Sequence, residues 1–188
     1  MPLQKIWSFA LAVIFIAFVV LGCSRHPELK KTNEKGASQW NLRQTRLQGQ
    51  PDLIILTIAA GNKIDTPAGE KVAVLGVSCG GVDPFSVDLS TAVEAESGDV
   101  STGFDEAALA GKKWEVHTTE LKDRKIYTMH LLDADQSDFL RQLRHSGTFQ
   151  FEFTPKGGKP QLSNFKLLNI NSLLEQQQSC KSALEHVH

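Results

Sequence analysis

The sequence predicts an α+β fold, a mostly antiparallel β-sandwich-like domain with a short helix and a C-terminal helix. Three observations predict it. Short apolar or alternating stretches recur along the chain, the cleanest being Phe149, Phe151 and Phe153 against Gln150, Glu152 and Thr154. Turn residues such as glycine, proline and asparagine separate them. The apolar period becomes helical only late, around Phe139 and again after Ser172.

Taken in order, Trp40, Leu42 and Leu47 predict a first strand. Residues 52–60 hold a continuous apolar, β-branched run between Pro51 and Gly61, which predicts a strand buried on both faces and central in the sheet. Residues 61–71, with Asn62, Asp65, Pro67 and Gly69, are turn chemistry, and a second apolar run at 72–79 ends at Gly80, Gly81 and Pro84. Phe85, Val87 and Leu89 alternate with Ser86, Asp88 and Ser90, as in a half-buried strand. Val100, Thr102 and Phe104 predict another, followed by an alanine-rich turn stopped by Gly111. Residues 114–117 predict a short strand and 126–132 a longer one, with Asp123 and Arg124 at the turn between them.

Phe139, Leu140 and Leu143 then predict a helix over 136–144, capped by Asp135 and with Asp138 near the positive end of its dipole. Lys156, Gly157, Gly158 and Lys159 form a hairpin loop leading to a strand at 161–168. Ser172 and Glu175 read as a capping box for the last helix, whose Leu173, Cys180, Leu184 and Val187 make a buried stripe.

The amino-terminal stretch is of a different kind. Lys5 precedes an apolar run that begins at Ile6 and closes on Val20, Leu21, Gly22 and Cys23. A charged start, an apolar run and a small residue are the parts of a secretory signal peptide. The cysteine directly after the cut makes the group resemble the bacterial lipoprotein signal, which implies that processing leaves Cys23 as a lipidated, palmitate-bearing amino terminus. The run would also satisfy a membrane span of about 20 residues, but Arg25, Lys30, Lys31 and Lys35 on its outer flank oppose an inside-positive orientation. The expected organisation is therefore a lipoprotein signal peptide at 1–22, a flexible tether at 23–38 and a single β-rich globular domain at 39–188. Ser24 resembles the outer-membrane sorting choice, so the expected place is the bacterial envelope, lipid-anchored at the outer membrane and facing the periplasm.

Twenty basic against 21 acidic residues, a net charge of −1, provide no basic field for nucleic acid, and no nucleic-acid partner is expected. Three cysteines become two once Cys23 is acylated, and an even remainder in an exported chain favours one disulfide, Cys79 to Cys180.

Candidate chemistry is sparse. Asp133, Asp135, Ser137 and Asp138 suggest a calcium loop, but Asp138 occupies the glycine position and Arg144 the closing glutamate position, so helix capping is the better reading. The histidines at 26, 117, 130, 145, 186 and 188 are scattered. Ser78, Cys79, Gly80 and Gly81 could present a thiolate, but an oxidising compartment favours the disulfide. Asp88, Glu94, Glu96, Asp99 and Asp105 read as a solvated face, and the phenylalanine ladder reads as core. Hydrolase, zinc-protease, Walker and dinucleotide motifs are all missing. Hence no catalytic residue, no metal ligand and no cofactor is expected.

From Cys79 to Cys180 the order of features is similar to that of type VI secretion accessory proteins of the TagO/VasI kind. The residues that carry the resemblance are Val77 and Cys79, Val100 and Asp105, Trp114 and Val116, Phe139 and Leu143, Thr154 with Pro155, Phe165 and Leu168, and Cys180. Gly103 stands where that pattern carries an arginine. The resemblance implies an accessory role in a secretion apparatus. The expected function is accordingly a non-enzymatic envelope lipoprotein, a binding or accessory module for a membrane-associated protein partner held at the membrane by its lipid. A small periplasmic hydrolase and a phage- or plasmid-encoded exclusion lipoprotein are the alternatives.

Overall fold

The computed structural model describes residues 40–45, 52–67, 69–81, 85–122 and 124–185. The segments expected as signal peptide and tether, Cys23, Leu47, Asp123, Val187 and the histidines at 26, 186 and 188 lie outside the described residues. Within them the chain is a β-rich α+β fold, one open antiparallel sheet of nine strands with three helices. The strands are β1 (Asn41–Thr45), β2 (Leu53–Ala59), β3 (Val74–Cys79), β4 (Phe85–Ser90), β5 (Asp99–Phe104), β6 (Ala110–Leu121), β7 (Arg124–Leu131), β8 (Thr148–Phe153) and β9 (Gln161–Lys166). Their order across the sheet is β1-β2-β3-β4-β7-β6-β5-β8-β9. The helices are α1 (Asp133–His145), α2 (Ile170–Gln176) and α3 (Gln178–Leu184).

One hydrophobic core gathers inward side chains from both arms of the sheet. Leu56, Val77, Val87, Leu89 and Met129 come from one arm, and Phe149, Phe151 and Phe165 from the other. The phenylalanine ladder is fully inside, as its alternation predicts, and packs edge-on against Trp114 and Phe139. Rings held this way gain about 0.5–1.5 kcal/mol per pair beyond their burial. Helix α1 reaches this core through Gln136, Phe139, Leu140 and Leu143, one face of a helix.

Several elements depart from expectation. Strand β2 is buried at Leu53, Ile54, Ile55 and Leu56, but it lies second from the end of the sheet, not at its centre. Two-sided burial followed from its composition; position in the sheet did not. The short strand expected at 114–117 runs for 12 residues, because its first part pairs with β5 and its remainder with β7. Gly98 makes that pairing possible. A Cβ there would stand 1.9 Å from the Trp114 carbonyl oxygen, whereas the glycine lets the Trp114 N–H reach the Gly98 oxygen at 2.8 Å.

Helix α1 begins at Asp133 with Leu132 at the cap position and no side-chain cap, so Asp135 sits in the first turn and accepts from Lys112 Nζ at 2.9 Å instead of capping. The expected single C-terminal helix is two. Asn169 turns the chain with φ 67°, α2 starts at the buried Ile170, and Gln177 breaks the helix with φ −98° and ψ 117°. Ser172 therefore lies inside α2, where its hydroxyl accepts from Gln176, while Glu175 accepts from Asn171 and Arg144. Burying Ile170 and Leu174 outweighs the capping box, whose benefit is about 1 kcal/mol.

Candidate functional site

Cys79 ends β3 and Cys180 lies on α3; both are fully buried and joined, with Cα atoms 5.0 Å apart across a sequence separation of 101. Gly80 follows with φ +86°, and a Cβ on it would meet the Asp52 carbonyl oxygen at 2.2 Å and Ser179 Cβ at 2.9 Å. Only glycine lets the chain leave β3 between the start of β2 and α3. The Ser78 to Gly81 segment is thus the exit from a clamped strand, and Cys79 is not a free thiol.

The opposite face of the sheet carries a polar row. The pairing registers align Thr57, Gly76, Asp88, His130 and Glu115 across β2, β3, β4, β7 and β6. Asp88 is buried, and its Oδ1 stands 2.9 Å from His130 Nδ1. Its other oxygen accepts from the Ser86 hydroxyl at 2.7 Å. On the far side of the imidazole, Nε2 faces Gln136 Nε2 at 3.4 Å and Asp133 Oδ1 at 4.0 Å. The His117 ring lies 6.3 Å from the His130 ring, and its Nε2 is 3.5 Å from Glu115. Burial is the largest single influence on His130 and disfavours its charge. The hydrogen bond and charge of Asp88, with the charges of Asp133 and Glu115, together outweigh it and raise the pKa above the ordinary histidine value.

Two expectations are corrected here. Asp88 does not belong to a solvated face, and two of the histidines, His117 and His130, are brought together. The Asp88–His130 contact was not visible in the sequence, because β4 and β7 are neighbours in space but not in order, whereas His117 and His130 lie on consecutive paired strands and meet only through the register of β6 with β7. The only local signal was Asp88 at a polar position of an alternating strand, which looks the same whether that face is wet or covered. The other carboxylates behave as surface groups. Glu94 pairs with Lys156, Glu96 accepts from the Gly157 N–H, and Asp99 accepts from Ser97. Asp105 accepts the N–H groups of Thr148 and Gly147, which hold its carboxyl below the usual range.

Chemically, the Asp88–His130 couple resembles the orienting half of an acid/base dyad: a carboxylate on Nδ1 leaves Nε2 to act. The Ser86 hydroxyl bonds to the aspartate and not to the imidazole, and no hydroxyl or thiol among the described residues is hydrogen-bonded to the His130 ring. Among those residues no three His, Cys, Asp or Glu side chains form a metal site, and no helix is long and apolar enough to cross a membrane.

The two ends of the sheet differ. At β9, the Asn62 carboxamide donates to the Leu162 carbonyl at 2.6 Å and accepts the Asn164 N–H at 2.8 Å, while the Gly61 N–H donates to the Asn164 carbonyl at 2.7 Å. Gln161 and the Asp65 backbone exchange two further bonds, and Ile64 is buried beneath them. The loop after β2 thus acts as a further strand alongside β9. At the other end β1 is outermost, with Asn41, Arg43 and Gln44 exposed. Comparisons with protein families, curated proteins and solved structures find no match to this chain.

Proposed function

We propose that this chain is a lipid-anchored lipoprotein of the bacterial envelope whose domain, with the two arms of its sheet closed sandwich-like over one core, is a non-enzymatic binding module for a membrane-associated protein, in the manner of a secretion accessory protein. The anchor reading rests on the sequence ending in Gly22 and Cys23. The binding reading is carried by the asymmetry of the sheet: the β9 margin is already occupied by Asn62 and its loop, and β1 is the outermost strand at the other margin. A strand added to a sheet margin gains main-chain hydrogen bonds without any catalytic group. The 61–71 loop, spent on β9, is then scaffold and not contact surface.

A photo-crosslinking residue placed at Asn41 or Gln44 of the full chain in cells should capture a membrane-associated protein, and one placed at Lys166 on β9 should not. Equal capture from both margins would overturn the assignment to β1. Cys23→Ser should leave an unprocessed precursor or release the domain from the membrane fraction. Native processing with unchanged membrane retention would sink the lipoprotein reading.

The second reading, a small periplasmic hydrolase, is favoured by one observation, the Asp88–His130 couple. Loss of cellular activity in His130→Gln, with the fold intact and β1 capture unchanged, would move the assignment there.

A further inference from the structure

His130 Nε2 stands between two partners that require opposite protonation states. In the neutral imidazole, with the Nδ1 proton given to Asp88, Nε2 carries a lone pair and accepts from the Gln136 amide 3.4 Å away. That amide is a donor with two hydrogens for three acceptors, Nε2, the Leu131 carbonyl at 3.2 Å and Asp133 Oδ1 at 3.0 Å, so its bond to Nε2 is a shared one. In the charged imidazolium Nε2 is itself a donor. It then opposes Gln136 and is drawn to Asp133, whose carboxylate is 4.0 Å away on an almost fully exposed side chain able to move. Both partners lie in the first two turns of α1, and this helix end has no side-chain cap of its own.

We propose that His130 is a proton-operated latch between the sheet and the start of α1, exchanging Gln136 for Asp133 when it gains a proton. The surroundings support this reading from every side that packs against the ring. From β4, Asp88 is fixed by Ser86. From β6, Glu115 lies opposite on the ladder, and the His117 ring lies diagonal, 6.3 Å away. From α1 come Asp133 and Gln136, while Asp135 is held by Lys112. Three carboxylates against one neighbouring imidazole favour the charge, in agreement with the upward direction of the His130 pKa. The device belongs to the folded domain and does not depend on the anchor or on the β1 margin.

The test follows histidine ring nitrogens and backbone amides of the full-length ¹⁵N-labelled chain in detergent, from about pH 9 down to about pH 5, the range over which histidines titrate. At the upper end His130 should be the Nδ1–H tautomer. On acidification the amides of residues 133–136 and the Gln136 side-chain amide should shift with the His130 midpoint. Asp133→Asn should lower that midpoint, and His130→Gln should abolish the α1 response. Amides at 133–136 that stay still, that shift with a midpoint other than that of His130, or that still titrate in His130→Gln would overturn the latch. So would an unchanged midpoint in Asp133→Asn, and this substitution at an exposed side chain decides the matter even if His130→Gln does not fold.

Discussion

At β9 the sheet is continued by a side chain, and at the other margin β1 is the outermost strand among the described residues. The Asn62 carboxamide offers an N–H and a C=O in the same spacing as a peptide unit, so the Leu162 and Asn164 backbone groups find partners without a further strand. Margins closed in this way resist addition of a foreign strand. The disulfide works on the same side of the molecule's economy, tying β3 to α3 where no ladder can reach. The difference teaches that closure here is built from single covalent or amide contacts between segments far apart in sequence. Each of these should be separable from the others by substitution.

The largest effect is expected from the covalent closure. Cys180→Ser should destabilise the domain by about 2–4 kcal/mol, the realistic share for a loop of this length. Urea unfolding gives the value. Hydrogen exchange in the same variant should show α3 opening first, with β2 the slowest, since α3 is seven residues long and buries Ala183 besides Cys180. Uniform loss of protection would mean that the bond does not act locally. Next comes Asn62→Ala, which orphans one acceptor and one donor on β9 and should cost about 1–3 kcal/mol, towards the lower end because the site is half-buried. It should also convert the β9 margin into one that captures partners in the way proposed for β1. Crosslinking from Lys166 in that variant reads this directly.

How much of this was legible in the sequence depended on where the information lies. Strands β4, β8 and β9 and the apolar face of α1 were legible because each turns its apolar side chains to one face, and the alternation or the helical spacing is written in consecutive residues. The cysteine pair was legible by counting. The first part of β6 was not: its Gly111, Lys112 and Lys113 are exposed, and its partner register is set by β5 and by the close approach at Gly98. The break at Gln177 was hidden inside a run of glutamines that any helix accepts. Asn62 read as a turn residue, Asp88 as a surface polar and His130 as one of several scattered histidines, since their partners lie 42 to 102 residues away. Long-range pairing of polar groups leaves no periodic trace.

A smaller effect is a pH dependence with two flanks. The His130 pKa is raised in the folded protein, so its contribution is fully present below the unfolded value near 6.5 and is lost as pH rises through the folded value. Asp105 has the opposite sign: its pKa is lowered by the N–H groups of Thr148 and Gly147, so its contribution is present above the ordinary carboxylate value and is lost as pH falls. Stability should therefore fall towards both acid and mildly alkaline solution. His130→Gln should flatten the alkaline flank alone, as thermal unfolding across pH would show. An alkaline flank that persists in this variant would assign it to another group.

The smallest effect is predicted one residue away from Asn62. Lys63 pairs with Glu70 across the same loop at 2.5 Å, with the two side chains 63% and 58% exposed. By distance alone this is the tighter contact. Water competes for both charges, however, and holding two long side chains in one geometry offsets much of the Coulomb gain, so Lys63→Ala should cost less than about 1 kcal/mol and less still at high salt. It should leave β9 closed, because the bonds to Leu162 and Asn164 come from Asn62 and Gly61 and not from the lysine. Urea unfolding of Lys63→Ala beside Asn62→Ala at low and high salt separates the two contributions. Equal losses in the two variants would show that the loop is held by its charges, and that the amide contact with β9 is not what distinguishes this margin from β1.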